Sequence, residues 1–145
     1  VEKIPGFTGT DLTLLDIGCG NGASMFGLSN KMKYCLGLEI TDEHLAAFND
    51  FKEKNNITNC DCEILDIEKN DPPMQFDRII SFEVIEHLAN EEGVAFYYKA
   101  LKQGGLVAIS VPNKWCLFFH GYPERSMRNT PMQGSIPGKE SPACW

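Results

Sequence analysis

No stretch of the sequence reaches the roughly 18 consecutive apolar residues that a membrane-spanning helix needs. The opening residues, Val1-Glu2-Lys3-Ile4-Pro5-Gly6, hold no long apolar segment either, so no secretory signal is expected. Basic residues are in the minority. There are 13 Lys and Arg against 20 Asp and Glu, a formal net charge of −7, and the isoelectric point is near 4.9. That balance argues against a general nucleic-acid-binding surface and leaves only a local basic patch around Lys114, Arg125 and Arg128. Zinc-type spacing is also missing. Cys60-Asp61-Cys62 has one intervening residue, and Cys19, Cys35, Cys116 and Cys144 have no close partners in sequence. Reduced thiols in a cytoplasmic protein are the expectation. There is no internal repeat.

What is present is enough for one domain with a real core: 145 residues, 43% of them hydrophobic. Strand and helix signals alternate. Strands are expected over 12–17, 34–40, 60–65, 76–82 and 106–111. Helices are expected over 23–32, from Thr41 or Asp42 to about Lys54, briefly over 84–88, and over 91–102. Gly104-Gly105 reads as the turn into the fifth strand and Pro112 as its end. Such alternation implies an α/β fold, a mostly parallel sheet covered by helices on both faces. In that architecture ligands sit outside the carboxyl ends of the strands. Residues 1–120 are expected to form this core. Residues 121–145, rich in Pro, Gly and Ser, are expected to be an irregular or disordered tail.

The residues with chemistry gather after the strands. Leu14-Leu15-Asp16-Ile17-Gly18-Cys19-Gly20-Asn21-Gly22 joins an apolar run ending in an acid to a loop with glycine at every second position. Glycines let the backbone turn tightly and come close to a ligand. Asp16 puts negative charge beside that ligand, which suits a cationic group better than a diphosphate. Glu39 ends the second strand, Asp66 follows the third, and Ser81, Phe82 and Glu83 follow the fourth. A carboxylate such as Glu39 can accept two charge-assisted hydrogen bonds from vicinal hydroxyls. The same loop also satisfies the dinucleotide pattern G-x-G-x-x-A, with Glu39 near the position of a ribose-binding acid. Asp16 decides against a nicotinamide enzyme, because its charge would repel a pyrophosphate.

In the order of these motifs, residues 11–113 resemble class I S-adenosylmethionine-dependent methyltransferases, whose fold is Rossmann-like. The resemblance implies that Asp16, Gly18, Cys19, Gly20 and Gly22 carry the methionine part of the cofactor, with Asp16 meeting its ammonium group. It implies that Glu39, with Ile40 beside it, takes the ribose hydroxyls. Asp66 would accept from the adenine amino group, with Ile67 beside the ring, and Ser81, Phe82 and Glu83 would line the methionine end. The cofactor would be S-adenosylmethionine, leaving as S-adenosylhomocysteine; the acidic composition puts a small-molecule acceptor ahead of nucleic acid. A non-catalytic cofactor-binding module is the second reading.

Phe82-Glu83-Val84-Ile85-Glu86-His87-Leu88 is the other informative stretch. On a helix, Glu83, Glu86 and His87 would share one face and could hold Mg²⁺. The segment resembles the metal-binding helix of ubiquinone-biosynthesis and small-RNA O-methyltransferases, the latter using a further histidine in the general region of His120. Simple packing without metal is favoured, and His87 as a metal-free general base is a third reading. Asp71-Pro72-Pro73-Met74 reads as a turn. Trp115, Phe118, Phe119, His120 and Tyr122 form an aromatic cluster, either an acceptor wall or a lid. The family's sixth and seventh strands have no good candidates here. Without them the fifth strand would expose an edge, which a homodimer or the aromatic segment could cover.

Overall fold

The computed structural model describes residues 1–112 of the chain. Five strands form one parallel sheet in the order β3-β2-β1-β4-β5: β1 (Gly9–Ile17), β2 (Met32–Glu39), β3 (Cys60–Ile64), β4 (Phe76–Phe82) and β5 (Leu101–Ser110). The helices are α1 (Ala23–Leu28), α2 (Leu45–Lys54) and α3 (Glu91–Ala100), with short 3₁₀ turns at Ser29–Lys31 and Ile85–His87. The expected α/β class and parallel sheet are thus observed. Among the described residues no strand follows β5. The expected tail 121–145, the basic patch, the aromatic cluster 115–122, Cys116 and Cys144 all lie outside the described residues.

Period-2 alternation explains the layering. Along β1, Leu14 faces a cluster with Met25, Phe26 and Phe48, contributed by α1 and α2. Leu15 and Ile17 face the other side, where Phe96, Tyr97 and Ala100 of α3 cover the sheet. Both faces of β1 are therefore dry, and its apolar run of Leu14-Leu15 and Ile17 is what a central parallel strand requires. Helix α3 starts cleanly because Asn90 accepts the N–H of Gly93 at 3.3 Å, with Glu91 and Glu92 in the positive first turn. The side chain of Glu68 accepts the N–H groups of Ala89 (2.7 Å) and Asn90 (3.0 Å), which fixes the approach to that helix.

Three expected boundaries are corrected. The first helix is shorter than 23–32, because its last turn tightens to 3₁₀ and Met32 already pairs in β2. The segment 84–88 is a 3₁₀ turn, Ile85–His87, and not an α-helical turn. Most informative, Gly104-Gly105 does not precede the fifth strand but lies inside it. Phe76 pairs with Leu101 and Arg78 with Leu106, so β5 bulges by several residues against β4. Gly104 takes a φ of 76°, and a side-chain carbon on Gly105 would lie 2.9 Å from the carbonyl oxygen of Asp77.

The segment ahead of β1 is anchored. Phe7 is buried in the first cluster, and the Arg78 guanidinium donates to the carbonyls of Gly6 and Phe7.

Candidate functional site

The strand order turns outward in both directions from β1 and β4, which makes a switch point at their carboxyl ends. A cavity of about 370 Å³ opens there, within the range of small-molecule sites. Gly18 and Val84 both line it. The two are in contact: a side-chain carbon built on Gly18 would overlap the Val84 methyl. Gly18 also has a φ of 72°, so both space and conformation demand glycine. Its N–H and that of Cys19 both donate to the carbonyl of Leu38, at 2.8 and 3.2 Å, which carries the β1–β2 pairing into the loop.

Asp16 is the central charge. It is only 2% exposed, and its Oδ2 has no hydrogen-bond partner among the described residues. Burial, followed by the charges of Glu39 and Cys62, pushes its carboxyl up to about 8. Below that value the ligand-free carboxyl holds its proton, and a cation seated beside Oδ2 would favour the ionised form. Glu39, at the end of β2, accepts the N–H of Gly20 at 2.7 Å through Oε1 and that of Ile40 at 3.2 Å through Oε2. It therefore latches the glycine loop while lining the cavity. Asp66 accepts the Glu68 N–H at 3.0 Å and the Lys69 ammonium at 2.6 Å. The Lys69 hydrogen bond holds its carboxyl below the usual range.

Of the residues expected at the site, Gly18, Glu39, Ile40, Asp66, Ile67, Phe82, Glu83 and His87 line one cavity. Asp16, Cys19, Gly20, Gly22 and Ser81 do not line it directly. Asp16 lies near the end of β1 and the three loop residues follow it, with the Gly20 N–H on the cavity-lining Glu39. Ser81 is fully buried and its hydroxyl pairs with the Tyr97 hydroxyl at 2.7 Å, so that hydroxyl is committed to the α3 face. The cavity is also lined by Leu38, Leu65, Glu68, Val84 and Leu88, which sequence reasoning missed. Apart from the charged Glu68 they read as apolar in the sequence, which does not show that they surround a crevice.

The metal face on 83–88, the less favoured alternative to simple packing, does not form among the described residues. Glu83 sits at a φ of 59°, outside any helix, and its Oε1 accepts the Ser110 hydroxyl at 2.8 Å. Both oxygens of Glu86 are buried without a partner among the described residues, whereas His87 is 72% exposed and 3.9 Å from Glu86. No group of three potential metal ligands converges among the described residues. The 3₁₀ turn is the reason, since it breaks the i, i+3, i+4 face that an α-helix would give.

Comparisons with known proteins match this picture. Residues 9–139 match the family described as "Methyltransferase domain". The (S)-tetrahydroprotoberberine N-methyltransferase of Eschscholzia californica is 36% identical over 80 residues, covering 54% of this chain and 23% of that one. The ubiquinone biosynthesis O-methyltransferase of Bradyrhizobium diazoefficiens is 30% identical over 107 residues, covering 71% of this chain and 41% of that one. This chain thus spans less than half the length of these relatives. Among solved structures, coclaurine N-methyltransferase bound to N-methylheliamine and SAH superposes with a TM-score of 0.61 at 23% identity, over 68% of this chain and 30% of that one. This likeness shows the same fold. No helix among the described residues is long and apolar enough to cross a membrane.

Proposed function

Because the chain belongs to the class I S-adenosylmethionine-dependent methyltransferase family, we propose that it binds S-adenosylmethionine and directs its methyl group to a small-molecule acceptor. The observation that carries this reading is the buried Asp16 carboxylate with an unpartnered oxygen beside the glycine loop. Its charge suits the cofactor's ammonium and opposes a diphosphate. When bound, the cofactor supplies an electrophilic sulfonium methyl and S-adenosylhomocysteine as the leaving group.

The chain's own residues then do three things. Asp16 binds the ammonium end, and Gly18, Cys19, Gly20 and Gly22 let the backbone come close. Glu39, with Ile40, accepts from the ribose hydroxyls, and Asp66, with Ile67, receives the adenine end. Phe82 and Glu83 border the methionine end, and Ser81 holds that strand end to α3 through Tyr97. Most of the acceleration in such a displacement comes from positioning and the exclusion of water. His87, exposed at the cavity edge, is placed to take a proton from an acceptor hydroxyl or amine. Mg²⁺ is given no step, since Glu83 is hydrogen-bonded to Ser110 and no three potential ligands converge among the described residues.

The relatives carry names of both O- and N-methyltransferases, which supports an oxygen or nitrogen acceptor over carbon. The net charge of −7 supports a small molecule over nucleic acid. Free thiols at Cys19, Cys35, Cys60 and Cys62 support a reducing, cytoplasmic setting. Strand β5 has one neighbouring strand among the described residues and exposes Leu106, Val107 and Ile109, which supports a homodimer through that edge. Residues 1–120 act as the cofactor-binding core and 121–145 as an appended tail.

Thermal-shift titration tests the cofactor. S-adenosylhomocysteine is expected to raise the midpoint and NAD to leave it unchanged; the reverse would overturn the reading. Binding without methyl transfer to any O- or N-nucleophile in an acceptor panel would select the non-catalytic module instead.

A further inference from the structure

Asp16 of β1, Gly37 of β2 and Cys62 of β3 lie in one row across three strands. Neighbouring strands are about 4.8 Å apart, so a side chain following β1 does not ordinarily reach β3. Cys19 does, because β2 offers no side chain at the crossing point. A side-chain carbon on Gly37 would lie 2.5 Å from the Cys19 sulfur and 2.9 Å from its Cβ. The Cys19 Sγ therefore lies over bare backbone and meets the Cys62 Sγ at 3.7 Å. A second thiol pair, Cys35 and Cys60, occupies register positions on β2 and β3, but both residues are fully buried. Cys62 is partly exposed and is, among the described residues, the thiol that solvent reaches most readily.

We propose that Cys19 and Cys62 are a modification site, a thiol pair that a peroxide closes to a disulfide and that thereby loosens the cofactor loop. The sulfurs must approach from 3.7 Å to the disulfide length of about 2.0 Å. The chain around Cys19 can supply that movement, since Gly18 and Gly20 flank it at φ values of 72° and 53°. The steps balance with hydrogen peroxide as oxidant. The Cys62 thiolate attacks one peroxide oxygen, the O–O bond breaks, and the departing hydroxide leaves as water after taking a proton. The Cys19 sulfur then attacks the Cys62 sulfenic sulfur, the S–S bond forms, and the S–O bond breaks to release a second water. Two thiols are oxidised and one peroxide is reduced. The two thiols share one S–H···S contact in which either can donate, and Cys62 is the more exposed of the pair. Cys62 is accordingly the attacking sulfur and Cys19 the resolving one.

Closure would drag the loop that holds the Cys19 N–H on Leu38 and the Gly20 N–H on Glu39. This consequence rests on the proposed cofactor reading; the bridge itself does not.

The test uses the 145-residue chain, fully reduced, desalted, treated with hydrogen peroxide, then alkylated under denaturing conditions and mapped by mass spectrometry. The expected product is a Cys19–Cys62 linked peptide that disappears on treatment with dithiothreitol and is never formed in Cys62→Ser. Alkyl label or sulfinic acid on both cysteines, or a bridge from Cys62 to another thiol, would overturn the proposal. Calorimetric titration of S-adenosylhomocysteine into the oxidised chain should show affinity at least about tenfold weaker, restored by reduction and insensitive to peroxide in Cys62→Ser. A mapped bridge with unchanged affinity would overturn the control of the loop. A reduced chain that binds no S-adenosylhomocysteine would sink the cofactor reading while the mapped bridge stood.

Discussion

The carboxylate of Glu39 accepts the N–H of Gly20 at 2.7 Å, so the end of β2 holds the glycine loop that leaves β1. One side chain thereby shapes the loop and lines the cavity the loop serves. Glu39→Ala removes both the latch and the charged acceptor. Loss of hydrogen bonds to a charged group is expected to weaken S-adenosylhomocysteine binding by about 1.5–3 kcal/mol. Glu39→Gln keeps an acceptor for Gly20 and should fall between the two. Calorimetry on the three proteins reads this order directly, and equal affinities would contradict it.

Asp16 gives the site a pH dependence of definite sign. Its carboxyl is pushed up to about 8 in the folded protein, first by burial and then by Glu39 and Cys62, against about 3.9 in an unfolded chain. Between those values the folded protein holds a proton that the unfolded chain has released. Stability of the ligand-free protein therefore declines as pH rises from about 4 to about 8. Binding of a cationic ligand runs the other way, because it needs the ionised carboxylate. S-adenosylhomocysteine affinity should rise between about pH 6 and 8, with proton release visible as a dependence of the binding enthalpy on the buffer. A flat profile without proton release would show that Asp16 is not the group being neutralised.

Gly18→Ala tests the wall shared with Val84. The new methyl would overlap the Val84 side chain, and the residue would have to keep a φ of 72°. A loss of roughly 1–3 kcal/mol in stability is expected from strain and crowding. Gly18→Ala paired with Val84→Ala should recover the crowding part and leave the conformational part. Denaturant unfolding of the single and double variants separates the two, and no loss in Gly18→Ala would remove this contact from the account.

The bulge in β5 makes its own prediction. Gly105→Ala would place a methyl 2.9 Å from the Asp77 carbonyl oxygen and 2.7 Å from the Leu101 Cδ1. It should destabilise the protein by about 1–3 kcal/mol. Gly104→Ala has open space and meets only the cost of a φ of 76°, so its loss should be the smaller. Equal losses, or none, would place the glycine pair in a turn before the strand.

That glycine pair also shows where the sequence stops being legible. Leu14-Leu15 and Ile79-Ile80 announce buried parallel strands because both of their faces are apolar. The acids at strand ends, Asp16, Glu39 and Asp66, announce a site because this fold binds ligands there. Gly104-Gly105 reads as a turn from local chemistry alone. Only the pairing of Phe76 with Leu101 pulls the preceding residues into β5. The same limit governs side chains. The Ser81 hydroxyl goes to Tyr97 because α3 covers that face, and 16 residues of sequence give no sign of it. The contact of Cys19 with Cys62 depends on a missing side chain at Gly37, on a strand between them. Glu86 and His87 read as neighbours on one helical face, but the chain takes a 3₁₀ turn and buries one while exposing the other.

The most direct test is the titration of S-adenosylhomocysteine into the unaltered chain and Asp16→Asn at pH 8, with folding of both checked by thermal unfolding. Asn keeps the shape and removes the charge. Loss of the buried partner of an ammonium is expected to cost about 3 kcal/mol or more in binding, while the ligand-free variant unfolds at the same temperature as the unaltered protein or higher. Equal affinity in the two proteins would contradict the claim that this carboxylate is there to receive a cation.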